Sequence, residues 1–229
     1  MRKLVASMLM TLDGVVENPQ RWTVPFRSEE SQTYKFEELF ASDALLLGRI
    51  TYQGLAAAWP GAPGAYGERI NRMPKYVPTT TLQEAEWNAT LIQDHVGEEV
   101  TRWKQESGQD LLIFGSVELI HSLMQEDLID EYRLMVFPIV VGNGKRLFPA
   151  ESQQKAFTLV QAQTFGSGVV VLTYEPHRKE RGSEGGMKCL HHPEEIMPPH
   201  LKSHVSELER RAVLVPSFFM YKIPMAEAR

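Results

Sequence analysis

Apolar and amphipathic blocks alternate along the first three quarters of this chain. Lys3 to Met10 is a nearly continuous apolar run and predicts a buried strand, which Asp13-Gly14 closes as a turn. Ser28-Glu29-Glu30 supplies an N-cap and first-turn acids for a helix reaching about Phe40. Ala44 to Leu47 predicts a short strand, and Thr51 to Ala58 a short helix after Gly48. Lys75 to Thr79 then reads as a strand, Val96 to Ser107 as an amphipathic helix and Asp110 to Phe114 as a strand. Val117, Ile120 and Met124, with Leu119 and Leu123, give the helical period over 117–125. Arg133 to Val141 predicts another strand, and 157–165 with 169–175 a hairpin around Gly166-Ser167-Gly168. Strands alternating with helices imply an α/β fold with a mainly parallel sheet, helices on its faces and antiparallel strands at the end.

The pattern stops near Glu175. Residues 177–229 hold five of the seven histidines, the single cysteine Cys189 and five prolines, with a charge of +2 against −7 for the rest. We therefore expect a domain over 1–176 and an irregular extension over 177–229, with a short helix near Ser203 to Leu214. One cysteine excludes an internal disulfide and suggests a reducing compartment. A net charge of −5 argues against nucleic acid as the partner. No apolar run approaches the roughly 18 residues of a membrane span. Leu4 to Met10 lacks a cleavage-like site and reads as a strand, so a soluble cytoplasmic protein is expected.

Candidate chemistry sits where apolar runs stop at glycine. Phe114-Gly115-Ser116-Val117 turns a strand into a helix, whose free N–H groups and dipole can hold phosphate. Gly48-Arg49-Ile50-Thr51-Tyr52 does the same and adds a cation and a hydroxyl. Two separated openings of this kind suggest one ligand with separated phosphates, such as a dinucleotide. The three-glycine fingerprint of a standard dinucleotide-binding domain is absent. Thr79-Thr80-Thr81 at a strand end can hydrogen-bond a ribose or 2′-phosphate, or serve only as strand-favouring threonines. Asp13 at the end of the first strand faces the usual ligand crevice of an open sheet, or is only a tight turn. Gly142-Asn143-Gly144-Lys145 is a loop able to line a pocket. Glu37-Glu38 and Glu98-Glu99 read as solvated helix faces. The cluster Cys189, His191, His192, Glu194, His200 and His204 fits no zinc spacing, and no metal is expected.

The ordered series Leu47-Gly48-Arg49-Ile50-Thr51-Tyr52, Lys75 through Leu82, Gly115-Ser116, and Leu128 through Pro138 to Gly142, Gly144 and Leu147-Phe148-Pro149 resembles the dihydrofolate reductase superfamily. Its riboflavin-biosynthesis branch, the RibD C-terminal reductase domain, is the most similar. The resemblance covers about 1–176. It implies a three-layer fold with a mixed, mostly parallel eight-stranded sheet, flanking helices and a C-terminal antiparallel hairpin. It implies NADPH as hydride donor, with NADH not excluded, a small-molecule substrate and often a homodimer. By motif, Gly48, Arg49 and Thr51 would hold cofactor phosphate, Thr79, Thr80 and Thr81 the adenosine ribose, and Gly115, Ser116 and Val117 the pyrophosphate. Ala6 and Ser7 would lie near the nicotinamide, Asp13 and Trp22 on the substrate side, and Asp13 would be the polar anchor or proton donor. Arg27 stands where dihydrofolate reductases carry their acid, which argues against folate reduction. Thr80 stands where riboflavin-branch relatives often carry arginine, which weakens the preference for NADPH, and Arg49 can compensate. The implied activity is an NADP(H)-dependent reduction of a small heterocyclic or carbonyl-like substrate, related to that of 5-amino-6-(5-phosphoribosylamino)uracil. The competing reading is a catalytically silent nucleotide-binding or dimeric scaffold of the same fold.

Overall fold

The structure is a computed structural model that describes residues 1–148 and 154–177. The expected tail over 178–229, its histidine and cysteine cluster and its helix lie outside the described residues.

The elements run β1 (Leu4–Thr11), α1 (Glu29–Phe40), β2 (Ser42–Leu46), α2 (Arg49–Ala58), α3 (Gly64–Arg72), β3 (Lys75–Pro78), β4 (Ala89–Ile92), α4 (Val96–Gln105), β5 (Asp110–Phe114), α5 (Val117–Gln125), β6 (Glu131–Phe137), β7 (Phe157–Thr164) and β8 (Val170–Pro176). The strands form one eight-stranded sheet in the order β4-β3-β2-β5-β1-β6-β8-β7. Every pair from β4 to β6 is parallel. β8 joins β6 and β7 in antiparallel pairs.

Side-chain alternation in the strands sorts the core into layers. Leu4, Ala6 and Met8 of β1 face Val100 and Trp103 of α4 and Ile120 and Leu123 of α5. Val5 faces the opposite layer, with Leu39 of α1, Tyr52 of α2 and Ile70 of α3. Each fully buried leucine, such as Leu4, Leu45 or Leu112, contributes roughly 1.5–3 kcal/mol relative to exposure. A third cluster gathers Trp22, Met135, Phe137, Phe165, Val169 and Val171 under β6 and β8.

The caps follow the sequence. Ser28 accepts from the Ser31 N–H and Ser31 returns the bond, a capping box that starts α1. Lysines close several helix ends. Lys75 Nζ donates to the carbonyls of Ile70 and Asn71 in the last turn of α3 and of Met73, its C-cap. Lys155 reaches Met124 at the end of α5, and Lys104 donates to Leu128 at 2.9 Å.

Two elements escape the sequence pattern. α3 contains Gly64 and Gly67 after Gly61-Ala62-Pro63, a composition that reads as loop. Gly67 is required, because a Cβ there would lie 2.3 Å from the Ala62 carbonyl oxygen. β4 is a four-residue edge strand entered through Trp87 and Asn88, both with positive φ. The strand expected over 133–141 ends at Phe137, where the chain leaves the sheet ahead of Pro138.

Candidate functional site

Parallel pairing puts the C-terminal ends of β3, β2 and β5 side by side, level with Ser7 midway along β1, at the usual ligand crevice of open α/β sheets. The loops that leave those strands therefore meet. Gly48 follows β2, Thr79 follows β3, Gly115-Ser116 follows β5, and Ser7 of β1 is in register with Phe114.

The two glycine openings expected to be separated are one. β2 and β5 are neighbours, and the Gly48 N–H donates to Ser116 Oγ at 2.7 Å. A Cβ at Gly48 would lie 3.1 Å from Ser116 Cβ, so the close approach itself calls for glycine. A Cβ at Gly115 would lie 3.6 Å from the Thr51 methyl. Gly115 and Ser116 both have positive φ, +70° and +72°. Glycine adopts that geometry freely, but serine is strained there, and such strain clusters at functional sites. The helix starts of α2 and α5 open on this spot, and the first N–H groups of each have no intrahelical acceptor. Ser116 Oγ accepts from Gly48 and keeps its own proton to donate.

The remaining expected residues divide. Arg49 is half-buried at the first turn of α2, its guanidinium 3.1 Å from Gln53 Oε1. Thr51 stands against Gly115, and Val117 begins α5 partly packed on the core. Thr79 Oγ1 accepts from the N–H groups of Thr81 and Leu82, both at 3.2 Å, so it shapes the turn, while Thr80 and Thr81 are exposed. Ala6 is fully buried and can offer a ligand only its backbone. The Ser7 carbonyl accepts from Gly115 N–H at 3.2 Å, and its hydroxyl lies between Lys35 and Glu38.

Asp13 does not fit the role of proton donor. Its carboxylate accepts from Thr11 Oγ1 at 2.6 Å and from the N–H groups of Val141 and Gly142 at 3.2 and 2.8 Å. The Thr11 hydroxyl chiefly, with those amides, holds its pKa at about 2, so it stays ionised at neutral pH. It braces the 141–146 loop, which Lys145 ties to Glu118 of α5 at 2.9 Å. Trp22 is not an open substrate wall. It is 5% exposed, meets Phe137 edge-on at 5.3 Å, and donates its indole N–H to the Glu17 carbonyl.

Sequence reasoning missed a polar stripe below α1. Glu38, read as solvated, has a side chain only 1% exposed. It accepts from Ser7 Oγ at 2.9 Å and pairs with Lys35. Its other oxygen has no hydrogen-bond partner, and Arg133 Nη1 lies 3.9 Å away. Arg133 pairs with Glu131 at 2.6 Å, and Glu131 with Lys3 at 3.0 Å. Burial alone would raise the Glu131 pKa, but Lys3 and Arg133 hold it below the usual carboxylate range. Burial, with the charge of Glu38, pushes the Tyr34 phenol above its ordinary value. Lys35 ends the stripe level with the end of β5, 17% exposed, 2.8 Å from Ser7 Oγ and 4.8 Å above the Phe114 ring. No sequence signal marks Glu38, which follows another glutamate, Glu37, on the same helix.

With this geometry in place, the comparison with known proteins is direct. Residues 2–171 match the model of the RibD C-terminal domain, and the chain belongs to that family. It is 29% identical to the Bacillus subtilis (strain 168) protein YyaP over 178 residues, spanning 76% of this chain and 94% of that one. A Shewanella sp. PV-4 protein named for riboflavin biosynthesis shares the fold with a TM-score of 0.64 at 22% identity, over 77% of this chain and 99% of its own. Dihydrofolate reductase from Enterococcus faecalis, solved with NADP(H), shares it with a TM-score of 0.52 at 16% identity, over 77% and 97%. The mixed eight-stranded sheet with its closing antiparallel strands is thus the fold that these structures share. Among the described residues, no helix is long and apolar enough to cross a membrane. No group of three or more histidine, cysteine, aspartate or glutamate side chains among them could hold a metal ion.

Proposed function

We propose that this chain binds NADPH along the β3-β2-β5-β1 edge and reduces a small heterocyclic or carbonyl-like compound by direct hydride transfer. One observation carries the reading: the strained Gly115-Ser116 turn meets the Gly48 opening, so that two helix starts, a free hydroxyl proton and Arg49 converge on one spot. That donor set suits a pyrophosphate. Glu118, the acid in the first turn of α5, is already paired with Lys145. The family membership and the NADP(H) complex of the Enterococcus faecalis neighbour agree with it.

The coenzyme would supply the hydride, and the chain would supply position and electrostatics. Gly48, Arg49, Thr51, Gly115, Ser116 and Val117 would hold the phosphates, and Thr80 and Thr81 remain open to the ribose side. The substrate follows by class only, with the pyrimidine reduced in riboflavin synthesis as the first candidate. A fluorescence titration with NADPH and NADH, followed by NADPH oxidation with pterins, pyrimidines and ketones, tests the proposal. Micromolar binding and turnover on one class support it, and failure to bind either coenzyme at high micromolar concentration refutes it. The silent-scaffold reading draws on Asp13, whose committed carboxylate leaves the expected donor position without a transferable proton. It predicts binding without oxidation across the panel.

A further inference from the structure

Extending the coenzyme reading to its nicotinamide end puts the ring near Ser7, and Lys35 Nζ lies 2.8 Å from the Ser7 hydroxyl. The pyrophosphate opening lies between β2 and β5. Strands are about 4.8 Å apart, so β3 to β1 spans roughly 14 Å, the scale of an extended dinucleotide. The threonine-rich end of β3 offers hydroxyls to a ribose. On the β1 side, level with the end of β5, stands a cation, Lys35, set between Ser7 and the Phe114 ring. The ammonium is fixed by the Ser7 hydroxyl and by Glu38, a carboxylate that α1 carries into the interior. It is not a free surface lysine.

We infer that Lys35 is the residue by which this site tells the neutral, reduced nicotinamide ring from the cationic, oxidised one. The inference rests on the coenzyme reading above and deepens it. An ammonium beside the ring repels a pyridinium and leaves a dihydropyridine nearly untouched. The site therefore fills with reduced coenzyme and releases it once oxidised. Glu38 tempers the repulsion, because its carboxylate pairs with the same ammonium.

The test needs no substrate. Dissociation constants for NADPH and NADP+ are measured by titration on the full chain and on Lys35→Met, Lys35→Arg and Glu38→Gln variants, each checked for folding by thermal melting. The wild type binds NADPH more tightly than NADP+. Lys35→Met tightens NADP+ by about tenfold, the scale of one partly screened charge, with NADPH within about twofold. Lys35→Arg keeps the wild-type ratio. Glu38→Gln moves the ratio the other way, weakening NADP+ further. A purely structural role for the pair would weaken both coenzymes together, and that result overturns the inference. An unchanged ratio in Lys35→Met also overturns it. If neither coenzyme binds the wild type, the coenzyme reading itself fails and takes this one with it. If both bind and only the ratio stays flat, the coenzyme reading survives alone.

Discussion

Replacing Ser116 by alanine and by glycine separates two effects that the wild-type residue combines. Its hydroxyl accepts the Gly48 N–H at 2.7 Å, and its backbone sits at φ +72°, ψ +68°. Ser116→Ala removes the bond and keeps the strain. An intramolecular hydrogen bond nets about 0.5–1.5 kcal/mol, so alanine should cost about 1 kcal/mol. Ser116→Gly removes the same bond but relieves a left-handed conformation that costs an L-residue roughly 1–2 kcal/mol. The greater freedom of unfolded glycine returns about 0.5–1 kcal/mol of that relief. Glycine should therefore fall within about 0.5 kcal/mol of wild type. For a domain of this size, 1 kcal/mol corresponds to roughly 2–4 °C in Tm, which differential scanning fluorimetry resolves. The alanine variant should melt about 2–4 °C lower and the glycine variant within about 1–2 °C of the parent. Both lose the hydroxyl proton proposed to meet the phosphate, so on that proposal NADPH should bind each about tenfold more weakly, as loss of one bond to a charged group implies. Equal melting losses in the two variants would refute the strain argument. Undiminished NADPH affinity in both would refute the placement of the phosphate.

Other outcomes follow from the same geometry. Asp13→Asn should speed amide exchange at Val141 and Gly142, whose N–H groups its carboxylate accepts. Because the folded pKa, about 2, lies below the ordinary 3.8, the contribution of Asp13 to stability is present above about pH 4 and lost as pH falls towards 2; an asparagine there should flatten that acid limb in urea titrations. Lys75 titrates the opposite way: burial lowers it from 10.5 to about 8, so the unfolded chain binds more protons between those values, and this group makes stability rise with pH across that window. Urea unfolding at pH 7.5, 9 and 10 should show the rise, on the order of 1–3 kcal/mol at most, and Lys75→Met should remove it. Trp22→Ala should cost about 3–5 kcal/mol in denaturant unfolding, as large core truncations do, while Trp22→Phe should leave NADPH affinity unchanged, in keeping with a core rather than a ligand-facing role.

The long-period signals were legible from the chain. Buried strands such as Leu4–Thr11 and Asp110–Phe114 and the amphipathic α5 lie where apolar spacing puts them, because packing and propensity agree there. The Ser28 cap is visible for the same reason. α3 was hidden by its glycines, one of which is demanded by a contact that only the folded chain has. β4 was hidden by its brevity and its edge position. In the site, Gly48 and Gly115 were legible as turn glycines, but their contact was not, since adjacency of β2 and β5 is a matter of topology. Asp13 and Trp22 were legible as unusual residues, and partners far along the chain decide their roles. Glu38 went unseen because a carboxylate buried on an amphipathic helix carries the same letter as a solvated one. Only its neighbours Ser7, Lys35 and Arg133 reveal the difference.

β5 is the last strand of the parallel core before β6, yet it lies in the middle of the sheet, between β1 and β2. During synthesis, a chain that has emerged only as far as residue 109 carries Gly48 but has nothing for it to meet. Closing that gap brings together residues 68 positions apart, a long loop to form before any contact rewards it. If the proposed coenzyme binds here, its affinity is an all-or-none gauge of completed assembly. Fragments and nascent chains that lack the central strand should be blind to the nucleotide, and its addition should rescue only molecules in which that strand has already slotted home.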